Sequence, residues 1–516
     1  MQETIGEGER TPPPGAGGGP GDDRGESPAG SALRARIGLF LGPLVFVVFL
    51  LVPPPEAFSP EAWRVLGLTL FMAVWWISEA LPIPVTALLP IALLPLTGVV
   101  AMDEATAPYA NPTIFLFMGG FAIALAVQRW GLHQRLALAI LSRSGRGLHT
   151  LVGAFMLATA GLSMWVSNTA TAALMLPIAL SVLGLMERDG GQGLQGMAPD
   201  SRSPALALLL GIAFAANIGG MATIIGSPPN ALTVAFLNDR YELGIGFIDW
   251  MLLGLPLSLT LLVIAWFLLT RWVFPVHRIR LNGLDRMLQE QVGDLGPWSH
   301  AELRVAAVFL VVALAWMFRP LLEAWLPLEL TDAGIAILGA GLLFLIPSGA
   351  SGQRRLLCWD NTRELPWGVL LLVGGGLSLG SAIESSGLAE LTAEALMGAQ
   401  AWPLLLVIAG VVLVTMTLSH VTSNTATAAT LLPLVAALAL RMDVPVGLMT
   451  LPVAFAASVA FMLPVATPPN AIVFASNRLR VVDMIRGGAL LSVVAIVLVS
   501  LAVYALAEPL LLRHVG

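Results

Sequence analysis

Two identical runs of small polar residues stand within otherwise apolar stretches of this sequence. Ser167 to Ala173 and Ser423 to Ala429 both read SNTATAA, 256 residues apart. Each run brings hydroxyl and amide groups into a segment where an unpaired polar group costs on the order of several kcal/mol. Such residues can instead bond back to the preceding helical turn or allow close helix packing. Packing alone would accept many other small residues, so the identity of the two copies favours a binding role.

A second repeated motif interrupts two other apolar segments. Gly226 to Ala231 reads GSPPNA, and Ala466 to Ala471 reads ATPPNA. A pair of prolines removes amide donors and must break a helix. Unwound backbone then presents carbonyl oxygens that suit a cation, and the positive end of a broken helix suits an anion. Proline kinks without ligands are common in membrane helices, but the asparagine that follows each pair favours a site.

The composition places these motifs inside a membrane. Hydrophobic residues make up 57% of the 516 positions and charged residues 11%, which excludes a water-soluble globular domain. Apolar runs of about 20 residues recur, each long enough to cross a bilayer as a helix. The period-two alternation of a transmembrane β-barrel is absent from the sequence. We therefore predict an all-α membrane protein of about 11 transmembrane helices.

The predicted spans are the apolar runs between charged, proline or glycine breaks. They cover residues 37–52, 61–80, 82–101, 112–131, 204–237, 248–273, 300–318, 331–348, 364–386, 447–477 and 487–510. Arginines cluster after the fourth, sixth, eighth and tenth spans, which places these ends and the N-terminus in the cytoplasm. This holds only if the remaining apolar stretches, 148–183 and 402–440, are re-entrant hairpins that enter and leave on one side.

Several functional classes are excluded by single residue types. All 26 basic residues are arginine, so the chain has no P-loop lysine for ATP-driven transport and no Schiff-base lysine for a retinal-type pump. The single cysteine, Cys358, excludes an intramolecular disulfide and a cysteine-based metal cluster. A net charge of −6 gives no support for a nucleic-acid partner. The Gly- and Pro-rich residues 1–36 are expected to form a disordered cytoplasmic tail rather than a signal peptide.

The two SNTATAA motifs belong to a longer repeat. The same offset pairs Gly119-Gly120 with Gly375-Gly376, and Pro177 with Pro433. In the predicted topology the fourth span runs toward the cytoplasm and its counterpart, the ninth, runs away from it. The two halves therefore form an inverted-topology repeat. Such repeats place substrate and ion sites near the bilayer midplane, at broken helices and hairpin tips.

These motifs resemble those of the divalent anion:sodium symporters, the DASS family within the ion transporter superfamily. The resemblance covers roughly residues 37 to 512 and is most specific in the two SNT motifs, each followed by ATA, and in GSPPN and ATPPN. It implies an inner-membrane homodimer of scaffold and transport domains that moves as an elevator. The implied organisation is a tail (1–36), N-terminal scaffold helices (37–111), a first repeat (112–237), connecting scaffold helices (238–363), a second repeat (364–477) and a last helix with the C-terminus (478–516).

Matching positions to the family motifs implies two sodium sites and one substrate site. The first sodium site would use Ser163, Ser167, Asn168 and Gly226. The second would use Ser419, Ser423, Asn424 and Ala466. Substrate contacts would come from Ser167, Asn168, Thr169, Ser423, Asn424, Thr425, Ser227, Thr467 and Pro468.

The chemistry of these residues agrees with the implied ligands. Sodium is a hard cation that binds hydroxyl, amide and carbonyl oxygens, and the motifs contain no thiolate or imidazole pair. A dicarboxylate in a pocket without Lys or Arg is costly to desolvate unless bound cations offset its charge. We therefore expect sodium-coupled symport of C4 dicarboxylates such as succinate, fumarate or malate. The alternatives are a sodium-independent dicarboxylate exchanger and a sodium symporter for another divalent anion such as sulfate or citrate.

One position departs from the family pattern. His420 follows Ser419 where relatives commonly carry an acidic or amide side chain, and Met164 occupies the matching position of the first repeat. We expect a structural histidine, with tuning of pH dependence or of substrate charge as the alternative. An intramembrane hydrolase that used this Ser-His pair is disfavoured because adjacent residues on a helix point about 100° apart. The chain is thus expected not to be an enzyme.

Overall fold

The computed structural model describes residues 28–145, 147–189, 203–276, 283–325, 327, 329–350, 353–395 and 402–507. Within these ranges the chain is predominantly α-helical, with one small two-stranded sheet. Residues 1–27 of the predicted tail lie outside the described residues, and the first helix begins at Pro28, within that predicted tail.

The first half of the chain forms helices α1 to α12. Proline at the first helical position and side-chain caps start several of them; Ser59, for example, accepts a hydrogen bond from Ala62 N at 3.0 Å. The bounds are α1 Pro28–Leu51, α2 Pro60–Ser78, α3 Ile83–Thr86, α4 Leu89–Leu96, α5 Met102–Thr106, α6 Pro112–Arg129, α7 Leu132–Leu141, α8 Leu148–Ser163, α9 Asn168–Asp189, α10 Ser203–Gly220, α11 Pro228–Tyr241 and α12 Phe247–Phe267.

The second half repeats this plan after a connecting region. Its helices are α13 Leu284–Asp294, α14 His300–Met317, α15 Arg319–Trp325, α16 Asp332–Leu345, α17 Trp367–Ser385, α18 Leu388–Ala395, α19 Leu404–Ser419, α20 Asn424–Arg441, α21 Val446–Ala457, α22 Pro468–Phe474 and α23 Val481–Ala502. Strands β1 Pro347–Ala350 and β2 Gln353–Arg355 pair antiparallel between α16 and α17.

The helix bounds follow the predicted spans and hairpins. Nine helices in the described ranges are long and apolar enough to cross a membrane. The predicted span 61–80 is α2, and shorter apolar helices lie in the predicted spans 82–101, 331–348 and 447–477. The stretches predicted as hairpins are the helix pairs α8–α9 and α19–α20, each of which turns at its SNT motif. The predicted all-α membrane fold is confirmed.

The two repeats interlock around a common core. Helix α10 is buried along nearly its whole length and contacts α8, α12 and α22. Helix α22 also packs against α9, and α20 packs against α11, so the hairpin of each repeat meets the proline-broken helix of the other. Tilted aromatic pairs join the halves: the ring centroids of Phe214 and Phe461 lie 4.9 Å apart, and those of Trp250 and Phe455 lie 5.1 Å apart.

A buried ion pair anchors the helix that leads into the first hairpin. Arg135 of α7 forms a bidentate contact with Glu302 of α14, with N–O distances of 2.9 and 3.2 Å. Arg135 also donates to the carbonyls of Leu295 and Gly296. Its guanidinium is thereby satisfied on several sides, as a buried charge requires. The ion pair fixes α7 against the α13–α14 connection.

Candidate functional site

The SNT motifs form the tips of the two hairpins. Helix α8 ends at Ser163 and α9 begins at Asn168, while α19 ends at Ser419 and α20 begins at Asn424. The asparagine of each motif therefore starts the second helix of its hairpin. A short non-helical turn precedes each asparagine, so the polar side chains of the motif gather at one end of the hairpin.

The Pro-Pro-Asn motifs mark the predicted helix breaks. Helix α10 ends at Gly220 and α11 begins at Pro228, whereas α21 ends at Ala457 and α22 begins at Pro468. We name residues 221–227 unwound segment 1 and residues 458–467 unwound segment 2. The prolines take the first helical positions, where the missing N–H would have no helical partner.

The asparagine after each proline pair holds the unwound segment in place. Asn230 Nδ2 donates to Gly220 O at 2.9 Å and to Thr223 O at 2.8 Å. Asn470 Nδ2 makes the same two bonds in the second repeat, to the carbonyls ten and seven residues earlier, at 3.3 and 2.9 Å. These side chains satisfy carbonyls that a helix break would leave bare. The sequence prediction did not include either asparagine in the site, although their repetition was the available signal.

Helix α12 satisfies further carbonyls at the end of α10. Ser258 Oγ donates to Ile218 O at 2.6 Å, and Trp250 Nε1 donates to Met221 O at 3.0 Å. The two donors lie two helical turns apart on α12 and face the broken end of α10. Unwound segment 1 is thus supported from outside its own repeat motif, which no local pattern indicated.

A glycine lets a neighbouring helix approach each unwound segment. A Cβ on Gly254 of α12 would lie 2.8 Å from Met221 O, and one on Gly488 of α23 would lie 2.8 Å from Phe461 O. Met221 and Phe461 occupy matching positions, 240 residues apart. Only glycine fits at such a distance without a shift of backbone.

Three residues predicted for the first sodium site converge. Ser163 Oγ donates to Ala216 O at 2.7 Å. The surrounding acceptors orient the Asn168 amide so that its nitrogen lies 2.5 Å from Ser163 Oγ, 3.1 Å from Ala216 O and 3.3 Å from Gly226 O. The hairpin tip, the end of α10 and unwound segment 1 therefore contribute oxygen atoms to one place. Ala216 was not predicted, because a backbone carbonyl carries no signal in the sequence.

The remaining predicted residue of this site faces outward. Ser167 is exposed, as is Thr169, and Ser167 Oγ accepts from Ala170 N at 3.3 Å. Pro468 is also exposed. These three predicted substrate residues are therefore not enclosed by the described part of the protein.

The second predicted sodium site has matching elements but different bonding. Ser419 is fully buried, and its Oγ has no hydrogen-bond partner among the described residues. The buried Oδ1 of Asn424 likewise lacks a partner in the described part of the chain. Ala466 is buried in unwound segment 2, and Ser423 is half-buried at the hairpin tip. Two polar atoms on one hairpin therefore remain available for a ligand.

Predicted substrate residues connect the two repeats. Thr467 Oγ1 accepts from Asn217 Nδ2 at 2.9 Å, and Ser227 Oγ lies 3.2 Å from Ser458 Oγ. All four side chains are buried, as is Thr425. The contact between Ser227 and Ser458 joins the two unwound segments, and the Asn217–Thr467 bond joins unwound segment 2 to α10. Asn217 and Ser458 lie outside the repeated motifs and were missed by the sequence prediction.

His420 is buried at the tip of the second hairpin and is hydrogen-bonded on both sides. Its Nδ1 lies 2.7 Å from Met416 O, and its Nε2 accepts from Met462 N at 3.2 Å. The carbonyl partner requires the proton on Nδ1, so Nε2 is the acceptor and the ring is neutral. The expectation of a structural histidine agrees with these contacts.

The site is built from neutral oxygen donors. Within the described ranges there is no group of three His, Cys, Asp or Glu side chains that could hold a metal ion. The four motifs supply hydroxyl, amide and carbonyl groups, which suit a hard monovalent cation better than a transition metal.

Comparison with known proteins agrees with this chemistry. Residues 35–512 match the family described as the sodium:sulfate symporter transmembrane region. The sodium-dependent dicarboxylate transporter SdcS of Staphylococcus saprophyticus is 38% identical over 480 residues, which cover 92% of this chain and 92% of that protein. SdcS of Staphylococcus aureus (strain USA300) is 38% identical over 472 residues, covering 91% and 90%.

Two solved structures share the fold. The YdaH transporter of Alcanivorax borkumensis aligns with a TM-score of 0.57 at 16% identity, covering 94% of this chain and all of that one. MtrF of Neisseria gonorrhoeae aligns with a TM-score of 0.57 at 13% identity, covering 92% and 96%. Together with the motifs and the family match over almost the whole chain, these likenesses confirm the resemblance seen in the sequence. The chain belongs to the sodium:sulfate symporter family, the divalent anion:sodium symporters.

Proposed function

We propose that this protein couples the entry of sodium to the uptake of a C4 dicarboxylate such as succinate, fumarate or malate. The observation that carries the proposal is the convergence of Ser163, Asn168 and Gly226 with the Ala216 carbonyl. These oxygens come from a hairpin tip and a broken helix, and the second repeat presents the same elements. The relatives named as sodium-dependent dicarboxylate transporters support the choice of ions and substrate.

The Asn168 amide can stabilise the oxygens of the first site both when a cation is bound and when it is absent. Its nitrogen faces Ser163 Oγ, Ala216 O and Gly226 O, so its N–H groups offset the partial charges of these oxygens. Sodium would offset the same charges more strongly and would favour the opposite face of the amide, with Oδ1 toward the ion. Rotation of one side chain thus converts a hydrogen-bonded cluster into a cation site.

The anion would bind where cations and helix ends meet. Helices α9 and α20 begin at the SNT asparagines, and α11 begins at the first Pro-Pro motif. The positive ends of these helices favour a carboxylate. The motifs themselves contain no basic side chain, so the charge of a dianion is offset mainly by bound sodium. Loss of sodium therefore weakens substrate binding, which is the physical basis of coupling.

The membrane context of the proposal follows from the surface. Large apolar side chains are exposed along α1, α12, α14 and α23, where they suit contact with lipid. We place the protein in the inner membrane with its N-terminus in the cytoplasm, because the arginine clusters then obey the positive-inside rule. A homodimer in which a transport domain moves as an elevator against a scaffold completes the proposal.

Substrate uptake into proteoliposomes tests it directly. Radiolabelled succinate should accumulate under an inward sodium gradient and should not accumulate when choline replaces sodium. Unlabelled fumarate and malate should compete more strongly than sulfate or citrate. Equal uptake in sodium and choline would refute symport, and uptake that needs internal succinate but not sodium would identify an exchanger.

A further inference from the structure

Besides the Asn168 contact with Gly226 O, each hairpin tip has a second hydrogen bond to the unwound segment of its own repeat, and in this second bond the bridging side chain comes from opposite partners. In the first repeat the side chain belongs to the unwound segment: Thr223 Oγ1 donates to Met164 O at 2.5 Å. In the second it belongs to the hairpin: His420 Nε2 accepts from Met462 N at 3.2 Å. The same two elements are joined in both cases, with the roles of side chain and backbone exchanged.

The positions involved correspond through the two repeat offsets. His420 stands 256 residues after Met164, and Leu463 stands 240 residues after Thr223. In the first repeat the hairpin residue, Met164, is apolar and the segment residue, Thr223, is polar. In the second repeat the hairpin residue, His420, is polar and the segment residue, Leu463, is apolar. This exchange accounts for His420, which has no counterpart in the first half of the sequence.

The backbone hydrogen bonds of the two unwound segments differ at the corresponding position. Met462 matches Ala222, whose N–H is bonded within the first repeat to Gly219 O at 3.0 Å. In unwound segment 2 the matching N–H is bonded to the hairpin through His420. Asn470 meanwhile holds the carbonyls on both sides of Met462. Around Met462 the segment is thus held by an acceptor from the hairpin and a donor from α22.

We propose that His420 is a positioning residue for the second cation site. By holding Met462, it keeps unwound segment 2, which carries Ala466, against the hairpin tip, which carries Ser419 and Asn424. This inference rests on the proposed sodium coupling. His420 acts through the backbone and does not itself contact the ion, and its acceptor atom Nε2 is the group that matters.

Substitutions of His420 by side chains of different length and acceptor position test this role. Gln at position 420 can place an amide oxygen near the position of Nε2, whereas Asn reaches only to the position of Nδ1 and Leu offers no acceptor. We expect His420→Gln to keep a sodium half-saturation within about twofold of the wild-type protein. His420→Asn and His420→Leu should raise it by about fivefold to tenfold, because a buried N–H loses its partner. The maximal rate of succinate uptake should change less.

Sodium binding is also measured without transport. The shift in melting temperature on replacing choline by sodium reports the affinity of the folded protein for the ion. It should shrink in the Asn and Leu variants and persist in the Gln variant. Wild-type sodium affinity in both the Asn and Leu variants would overturn the inference, as would equal losses in all three variants. Failure of sodium to affect the wild-type protein would instead refute the proposed function.

A transplant of the first-repeat bridge provides a second test. His420→Met together with Leu463→Thr gives the second repeat the residues of Met164 and Thr223. The double variant should recover at least half of the loss in sodium affinity caused by His420→Met alone. A double variant no better than the single one would contradict the bridging role.

Discussion

The two cation sites implied by the repeat differ in how completely their polar groups are satisfied. At the first, Ser163 and Asn168 bond to one another and to backbone carbonyls. At the second, Ser419 Oγ and the Oδ1 of Asn424 have no partner in the described ranges. An unsatisfied buried polar group costs about 1–3 kcal/mol, so a ligand at the second site would recover energy that the first site already gains from its own hydrogen bonds. Identical sequence motifs therefore give sites of different preorganisation.

The largest expected effects come from the asparagines of the SNT motifs. Asn168→Ala and Asn424→Ala should each reduce sodium-dependent succinate uptake by at least about tenfold, because each removes an amide oxygen that sodium would bind. Only Asn168→Ala should also lower the melting temperature in sodium-free buffer, since only Asn168 bridges Ala216 and Gly226 there.

Ser181→Ala is the matched control, because Ser181 is an exposed residue of α9 whose Oγ donates, within the described part of the chain, to Pro177 O alone. It should leave uptake and melting temperature unchanged. Wild-type sodium affinity in either asparagine variant would show that the site is misassigned.

An intermediate effect on stability is expected for Asn230 and Asn470, which make the same hydrogen bonds in the two repeats. Asn230→Ala and Asn470→Ala should each destabilise the fold by about 2–4 kcal/mol, because two buried carbonyls of an unwound segment lose a donor. Thermal unfolding in detergent measures the loss as a lower melting temperature. A loss of stability in only one of the two variants would show that Asn230 and Asn470 do not play equivalent roles in their repeats.

The smallest effect concerns the helices that approach the unwound segments. Gly254→Ala and Gly488→Ala should each cost about 1–2 kcal/mol, because the new methyl group would meet a carbonyl of the segment. Gly341→Ala in α16 is the control: apart from its chain neighbours and its own helix backbone, no atom of the described residues lies within 4 Å of the added Cβ, so it should be neutral or slightly stabilising. Unequal costs at Gly254 and Gly488 in thermal unfolding would show which segment tolerates displacement.

Much of the local structure was predictable from particular residues. The hairpin predicted over 148–183 is α8–α9, and the prolines at 228 and 468 begin helices after a break. These features depend on the intrinsic chemistry of proline and on the length of apolar runs, which act over a few residues. The roles of Asn230 and Asn470 were missed because their partners are backbone carbonyls, which every residue carries.

The sequence by itself determined the membrane class, the repeat and the residue types available for binding, since hydrophobicity and motif identity are properties of the chain alone. The tertiary structure decided which oxygens meet. Ser163 reaches Ala216 O across 53 residues, and Asn217 reaches Thr467 across 250. It also decided that Thr223 bridges one repeat and His420 the other. Such pairings depend on how helices pack at a distance, and two copies of one motif can satisfy the same backbone groups in different ways.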